Sequence, residues 1–168
     1  MKKAFIFIFA LLITSMTFSQ EITISPETQK CFVEQVIEVP DATADVLFTK
    51  AVEWISLNYN SAQDVIQYAD NNKIILKGSF GTNLFMKKGW LKHTLVIEFK
   101  DGRFKYNYTD FVYYTIEGNH DYTYESKQLG FKKKIYAETE QNILACISSM
   151  TEYFNSEQVA KNDDWWFL

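Results

Sequence analysis

The sequence is poor in the residues from which active sites are usually assembled. Two histidines, His93 and His120, and two cysteines, Cys31 and Cys146, occur among 168 residues. They do not have the spacing of a zinc site. There is no glycine-rich phosphate loop, no serine elbow and no metalloprotease helix. Those gaps argue against enzyme chemistry of the common nucleotide-dependent, metal-dependent and serine-nucleophile kinds, and no cofactor is expected. Basic charge is also in short supply, with 17 Lys+Arg against 21 Asp+Glu and a formal net charge of −4. A chain of that sign has no general attraction for nucleic acid or anionic lipid, so no nucleic-acid partner is expected. A membrane-spanning run is missing too. The apolar stretch at the N-terminus is too short to cross a bilayer comfortably, which argues against an integral membrane protein.

That N-terminal stretch has a different use. Lys2 and Lys3 precede an apolar run over 5–13 and a small-x-small site at Thr17-Phe18-Ser19. This is the pattern of a signal peptide over 1–19, cleaved before Gln20, and it implies export to the periplasm or beyond. No cysteine follows the apolar run, which argues against lipid attachment. Losing Lys2 and Lys3 from the 17 basic residues leaves 15 against 21 acidic ones, and moves the formal charge from −4 to −6. What remains is one domain's worth of chain, by the usual figure of about 100–200 residues. Cys31 and Cys146 both survive cleavage. A domain of this size does not need a staple, so two small buried apolar residues are preferred to a disulfide.

Aromatic residues are abundant, at 17% of the chain with 10 tyrosines and 14 phenylalanines. Tyr106, Tyr108, Tyr113, Tyr114, Tyr122 and Tyr124 concentrate after the centre of the stretch 93–110, where Asp101-Gly102 separates two alternating runs. Such a dipeptide is a strong hairpin signal, most simply a type I′ turn. A two-residue loop sets Phe99 opposite Phe104, Glu98 opposite Lys105, Ile97 opposite Tyr106, Leu95 opposite Tyr108 and His93 opposite Asp110. One face then carries Leu95, Ile97, Phe99, Phe104, Tyr106 and Tyr108, and a slip of one residue would put that set into water.

The rest of the chain arranges itself about this hairpin. An extended lead-in occupies 20–30. Alternation predicts a strand over 32–39, closed by Pro40, and helical spacing of Leu47, Ala51, Trp54 and Ile55 predicts a helix over 43–58. Strands are expected at 65–69 and 74–78, joined at Asn71-Asn72. A loop is expected over 79–89, and a further strand over 112–116. A turn-rich stretch covers 117–130. Ile135, Thr139, Ile143, Ile147, Met150 and Phe154 predict a second helix over 133–154. Residues 156–168 form a polar tail that ends in Trp165-Trp166-Phe167-Leu168. The sum is an α+β domain over 31–155 in the order β-α-β-β-β-β-α, a curved antiparallel sheet with two helices on one face.

The Ala51-Val52-Glu53-Trp54 segment and the Lys100-Asp101-Gly102-Arg103-Phe104-Lys105-Tyr106 turn resemble a family of secreted bacterial proteins, seen mainly in Gram-negative species. That family is a domain of unknown function with a TATA-binding-protein-like (TBP-like) fold, and the resemblance spans about 31–155. It implies a fold and a compartment, and brings no activity, cofactor or catalytic residues.

Candidate sites are therefore few. His93 and Asp110 form a candidate polar pair, readable as a carboxylate-oriented imidazole or as a rim contact of the core. Asn119, His120 and Asp121 read as a solvated turn, and 132–134 as a short basic face. Tyr106, Tyr108, Tyr113 and Tyr114, with Trp165, Trp166 and Phe167 in the tail, make a candidate binding surface. The leading expectation is an exported, non-catalytic binding module with a protein or cell-envelope partner. The alternative is a carrier of a small apolar ligand held between sheet and helices. An enzyme built on His93 and Asp110 ranks lower.

Overall fold

The structure, a computed structural model, describes residues 21–116 and 120–156. The segment 1–19 expected to be a signal peptide, Asn119 and the tail cluster Trp165, Trp166 and Phe167 lie outside the described residues. The central hairpin is formed by β5 (Gly89–Lys100) and β6 (Arg103–Thr115), which flank Asp101-Gly102. Phe99 faces Phe104, Glu98 faces Lys105, Ile97 faces Tyr106 and Leu95 faces Tyr108, the register expected from alternation. The turn itself differs. Gly102 has φ +76°, but Asp101 is not at positive φ, so type I′ geometry is not used.

Tertiary ties explain that difference. The Asp101 carboxylate accepts from the Ala44 N–H at 2.9 Å. The Gly102 N–H donates to the Ala42 carbonyl and the Gly102 carbonyl accepts from the Val39 N–H, each at 2.8 Å. The hairpin tip is thereby bolted to the connection between β2 (Cys31–Glu38) and α1 (Ala44–Asn58). Thr43 caps α1, its hydroxyl accepting from the Val46 N–H.

The other strands are β1 (Thr23–Ile24), β3 (Ile66–Asp70), β4 (Lys73–Thr82) and β7 (His120–Thr123). They complete an open antiparallel sheet in the order β1-β2-β6-β5-β4-β3, with β7 added to the far half of β6. A single turn of helix, α2 (Ala62–Val65), precedes β3, and α3 (Lys132–Asn155) closes the described chain. Leu47, Ala51, Trp54 and Ile55 of α1 join Ile135, Ile143, Ile147, Met150 and Phe154 of α3 in one core with the inward sheet residues. Area removed from water by these side chains is the main source of stability. Among the described residues, no helix is long and apolar enough to cross a membrane.

Several boundaries depart from the pattern-based expectation. Cys31 begins β2 rather than preceding it, and β1 lies within the expected lead-in. β4 runs on to Thr82 through the expected loop because it pairs with β5 along its whole length. β7 lies inside the polar stretch 117–130, too short and too exposed to show in a hydropathy pattern. Both cysteines are free.

The far half of β6 is continuous with the near half through a bulge. Thr94 pairs with Thr109, but Lys92 pairs with Val112, so His93 meets two residues, Asp110 and Phe111. Asp110 takes φ +53° to absorb the extra residue. The inward set thereby changes from Phe104, Tyr106 and Tyr108 to Phe111 and Tyr113, all of them buried. Strict alternation would have turned Val112 and Tyr114 inward instead.

Candidate functional site

Beside this bulge the sheet and helices part to form a cleft of about 980 Å³. Its helical wall is Trp54 and Tyr59 from the end of α1 and Asn142, Cys146 and Ser149 from α3. The sheet wall is Gly78 and Phe80 of β4 and His93 of β5, with Trp90 at the rim. Trp54 is only 4% exposed and its indole N–H donates to Ser149 Oγ at 3.1 Å, so the largest side chain of the α1 face is anchored across to α3. Trp90 points the other way, to the helix-free face, and is 42% exposed.

His93 forms the innermost polar point of the cleft. It is 3% exposed, with its ring centroid 4.4 Å from Phe80 and 5.0 Å from Tyr108. Nδ1 lies 3.2 Å from the Leu91 carbonyl oxygen. A carbonyl only accepts, so Nδ1 carries the proton and Nε2 presents a lone pair. That Nε2 is buried and has no hydrogen-bond partner. Burial in this aromatic setting lowers the imidazole pKa to about 4, against a smaller opposing effect of the Leu91 carbonyl. At neutral pH the site is therefore a fixed, uncharged acceptor. Gly78 lies opposite His93, and a Cβ there would stand 2.8 Å from Nε2 and 3.3 Å from the Tyr59 ring. Only glycine lets strand and imidazole approach so closely.

Beside His93, the Tyr108 hydroxyl donates to Cys146 Sγ at 3.1 Å. Burial pushes the Cys146 thiol up to about 11, so it stays protonated and is a poor nucleophile. Burial also holds the Tyr108 hydroxyl well above its ordinary value. Among the described residues, no group of three or more His, Cys, Asp and Glu could hold a metal ion. The chemistry on offer is recognition by one neutral acceptor inside an aromatic wall.

The expected pairing of His93 with Asp110 is not made. The bulge turns the Asp110 carboxylate outward, where it pairs with the Lys30 ammonium, while His93 turns inward to the Leu91 carbonyl. Both residues still border the cleft. The expected tyrosine surface also needs correction. Tyr106 and Tyr108 are fully buried and Tyr113 is 6% exposed, because all three face the helices. Tyr114 alone reaches the helix-free face, where Lys92 Nζ sits 4.5 Å from its ring centroid and 3.2 Å from the Asp121 carboxylate. His120 and Asp121 belong to β7 rather than to a turn. Elsewhere on that face charges of both signs pair, as Lys105 does with Glu34 at 2.9 Å and Lys73 with Glu98 at 3.6 Å.

Sequence reasoning missed Gly78, Tyr59, Phe80 and Cys146 as a group. Inward parity of His93 was visible, but its neighbours become visible only once β4 is paired with β5 and α3 is laid over them.

Comparison with known proteins bears on the fold. Residues 34–114 match the family model described as a domain of unknown function (DUF4468) with TBP-like fold. The chain is similar in structure to a TBP-like protein from Parabacteroides distasonis, with a TM-score of 0.65 and 14% identity over 76% of this chain and 95% of that one. It is also similar to a DUF4468 family protein from Bacteroides ovatus, with a TM-score of 0.63 and 12% identity over 83% of this chain and 94% of that one. No curated protein matches the chain.

Proposed function

Residues 34–114 belong to the DUF4468 family, a domain of unknown function with TBP-like fold, and from that premise we propose that the chain is an exported, non-catalytic binding module of the bacterial cell envelope. The N-terminal pattern over 1–19 supports export. The observation that carries the binding role is the cleft of about 980 Å³ walled by both layers of the fold. Concave, largely apolar sites with a few convergent polar groups are the usual form of a small-ligand site. A carrier of a small apolar ligand is the second reading, favoured by the aromatic walls at Trp54, Tyr59 and Phe80. It uses this open cleft rather than an enclosed chamber, since Tyr106 and Tyr108 fill the space beneath the helices.

Ala145 is an exposed position of α3 on the cleft wall, so Ala145→Trp would obstruct the opening without disturbing the core. The test is to isolate both proteins from an envelope fraction and compare co-purifying small molecules by mass spectrometry and co-purifying proteins by pull-down. A species held by the original chain and lost from the Trp variant supports the proposal. Equal retention, or nothing retained by either, overturns it.

A further inference from the structure

We propose that His93 Nε2 is the anchoring acceptor for a small neutral ligand that carries a hydroxyl or N–H donor on an apolar body, held over Gly78 between Tyr59 and Phe80. The assignment rests on the cleft being a binding site, and adds the chemistry of what it selects.

A buried acceptor without a partner is costly, and native proteins seldom leave one unmade without a use. Here the acceptor lies in the wall of a cleft, not in the sealed core. The tautomer is set from behind by the Leu91 carbonyl, so Nε2 has no proton to give. The neighbouring polar pair is already occupied with itself, Tyr108 donating to Cys146. Neither competes for the imidazole. The ring packs against Phe80 with centroids 4.4 Å apart and planes tilted by 32°, a contact that restrains the imidazole and supplies an apolar surface on which a ligand body can lie.

Those features also define what is refused. A carboxylate or phosphate would bring its lone pairs against another lone pair, with no cation inside to compensate. Two lysines border the cleft, Lys77 and Lys92, which lie on outward-facing positions of β4 and β5, and Lys92 is engaged with Asp121 and Tyr114 on the opposite face. A ketone or ether of matching shape has no donor for Nε2. Access requires one movement. Tyr59 is half-buried beside Nε2, and it is the C-terminal cap of α1, with extended backbone at φ −113° and ψ 143°. A side chain at a helix end can change rotamer without breaking helical hydrogen bonds, so its ring can turn aside to admit the donor.

Indole and 1-methylindole separate the donor from the body, because they differ only at the N–H. The full chain, uniformly labelled with nitrogen-15, is titrated with each while the His93 ring nitrogens are followed by long-range proton–nitrogen correlation. Indole should move the Nε2 resonance in the direction of an accepted hydrogen bond and bind roughly tenfold more tightly than 1-methylindole, as one net hydrogen bond of about 1.4 kcal/mol requires. In His93→Phe the two probes should bind equally. The titration of the unaltered chain needs no variant, so a folding defect in His93→Phe leaves the test intact. Equal affinities with an unmoved Nε2 overturn the assignment, as does a failure of both probes to reach any cleft resonance. If the Ala145→Trp comparison nevertheless shows a species held by the cleft, the binding module survives and only the role of His93 falls. If it shows none, both fall.

Discussion

The two ends of the β5–β6 ribbon are built on different rules. At the turn end every residue alternates, each cross-strand pair follows from the Asp101-Gly102 loop, and only aliphatic and aromatic side chains face the helices. At the far end Asp110 interrupts the alternation, the inward parity of β6 reverses, and a histidine replaces the hydrocarbon of the core wall. The turn end is filled and the far end is open. A regular ladder maximises burial and leaves no room for anything else. A bulge costs a ladder position, but it re-aims side chains and lets the two layers separate.

Phe111→Asp should break the far end outright and gives the largest effect. The bulge at Asp110 delivers Phe111 to the inward side, where it is 1% exposed and stacks on Tyr124 with ring centroids 5.1 Å apart. Burying an unpaired carboxylate in place of that ring is expected to cost more than about 5 kcal/mol, the lower bound of ordinary domain stability. Circular dichroism and a thermal melt of the variant will report it, and a native-like melt would show that β6 can straighten and turn position 111 to solvent, so that the bulge is dispensable.

Trp54→Ala acts on the wall that faces the bulge and should cost roughly 3–5 kcal/mol, the range for removing a large buried aromatic side chain. Urea unfolding measures this directly. A loss below about 1 kcal/mol would place the cleft wall outside the cooperative core.

His93 should make the open end sensitive to acid. Its folded pKa is lowered to about 4 from 6.5. Above that upper value the imidazole is neutral in both states and contributes no pH dependence. As pH falls between the two values, the unfolded chain binds a proton that the folded chain refuses, so stability decreases with falling pH. The decrease levels off below the folded value. Its total is about 3 kcal/mol from this residue. Carboxylates titrate over part of the same window, so the measurement is the difference between the pH–stability curves of the original chain and His93→Phe. Tyr59, Tyr108 and Cys146 stay neutral throughout and add nothing to it.

Gly102→Val probes the turn end and should have the smallest effect, about 1–3 kcal/mol for a β-branched residue held at positive φ. A melt unchanged by this substitution would mean that the turn relaxes, and that the ties to Val39 and Ala42 rather than glycine set the tip.

The sequence by itself determined the turn-end register, the two long helices and the burial of Trp54. Each of these follows from local periodicity, and nothing distant competes with it. Leu95, Ile97, Phe99, Phe104, Tyr106 and Tyr108 can be buried together in only one register, and Ile135 to Phe154 share one helical face however the sheet is arranged. Tertiary structure decided the far end. Whether β6 continues straight or bulges at Asp110 depends on which of two adjacent side chains the helix layer can accommodate. The placement of Gly78 against His93 depends on β4 pairing with β5 across a connection that carries no strong turn signal. The orientation of Tyr106, Tyr108 and Tyr113 away from solvent has the same origin, because a tyrosine suits a core or a surface equally well until the helices select one face. Periodicity states which residues lie together on a face, and only packing states which face is covered and where it is left open.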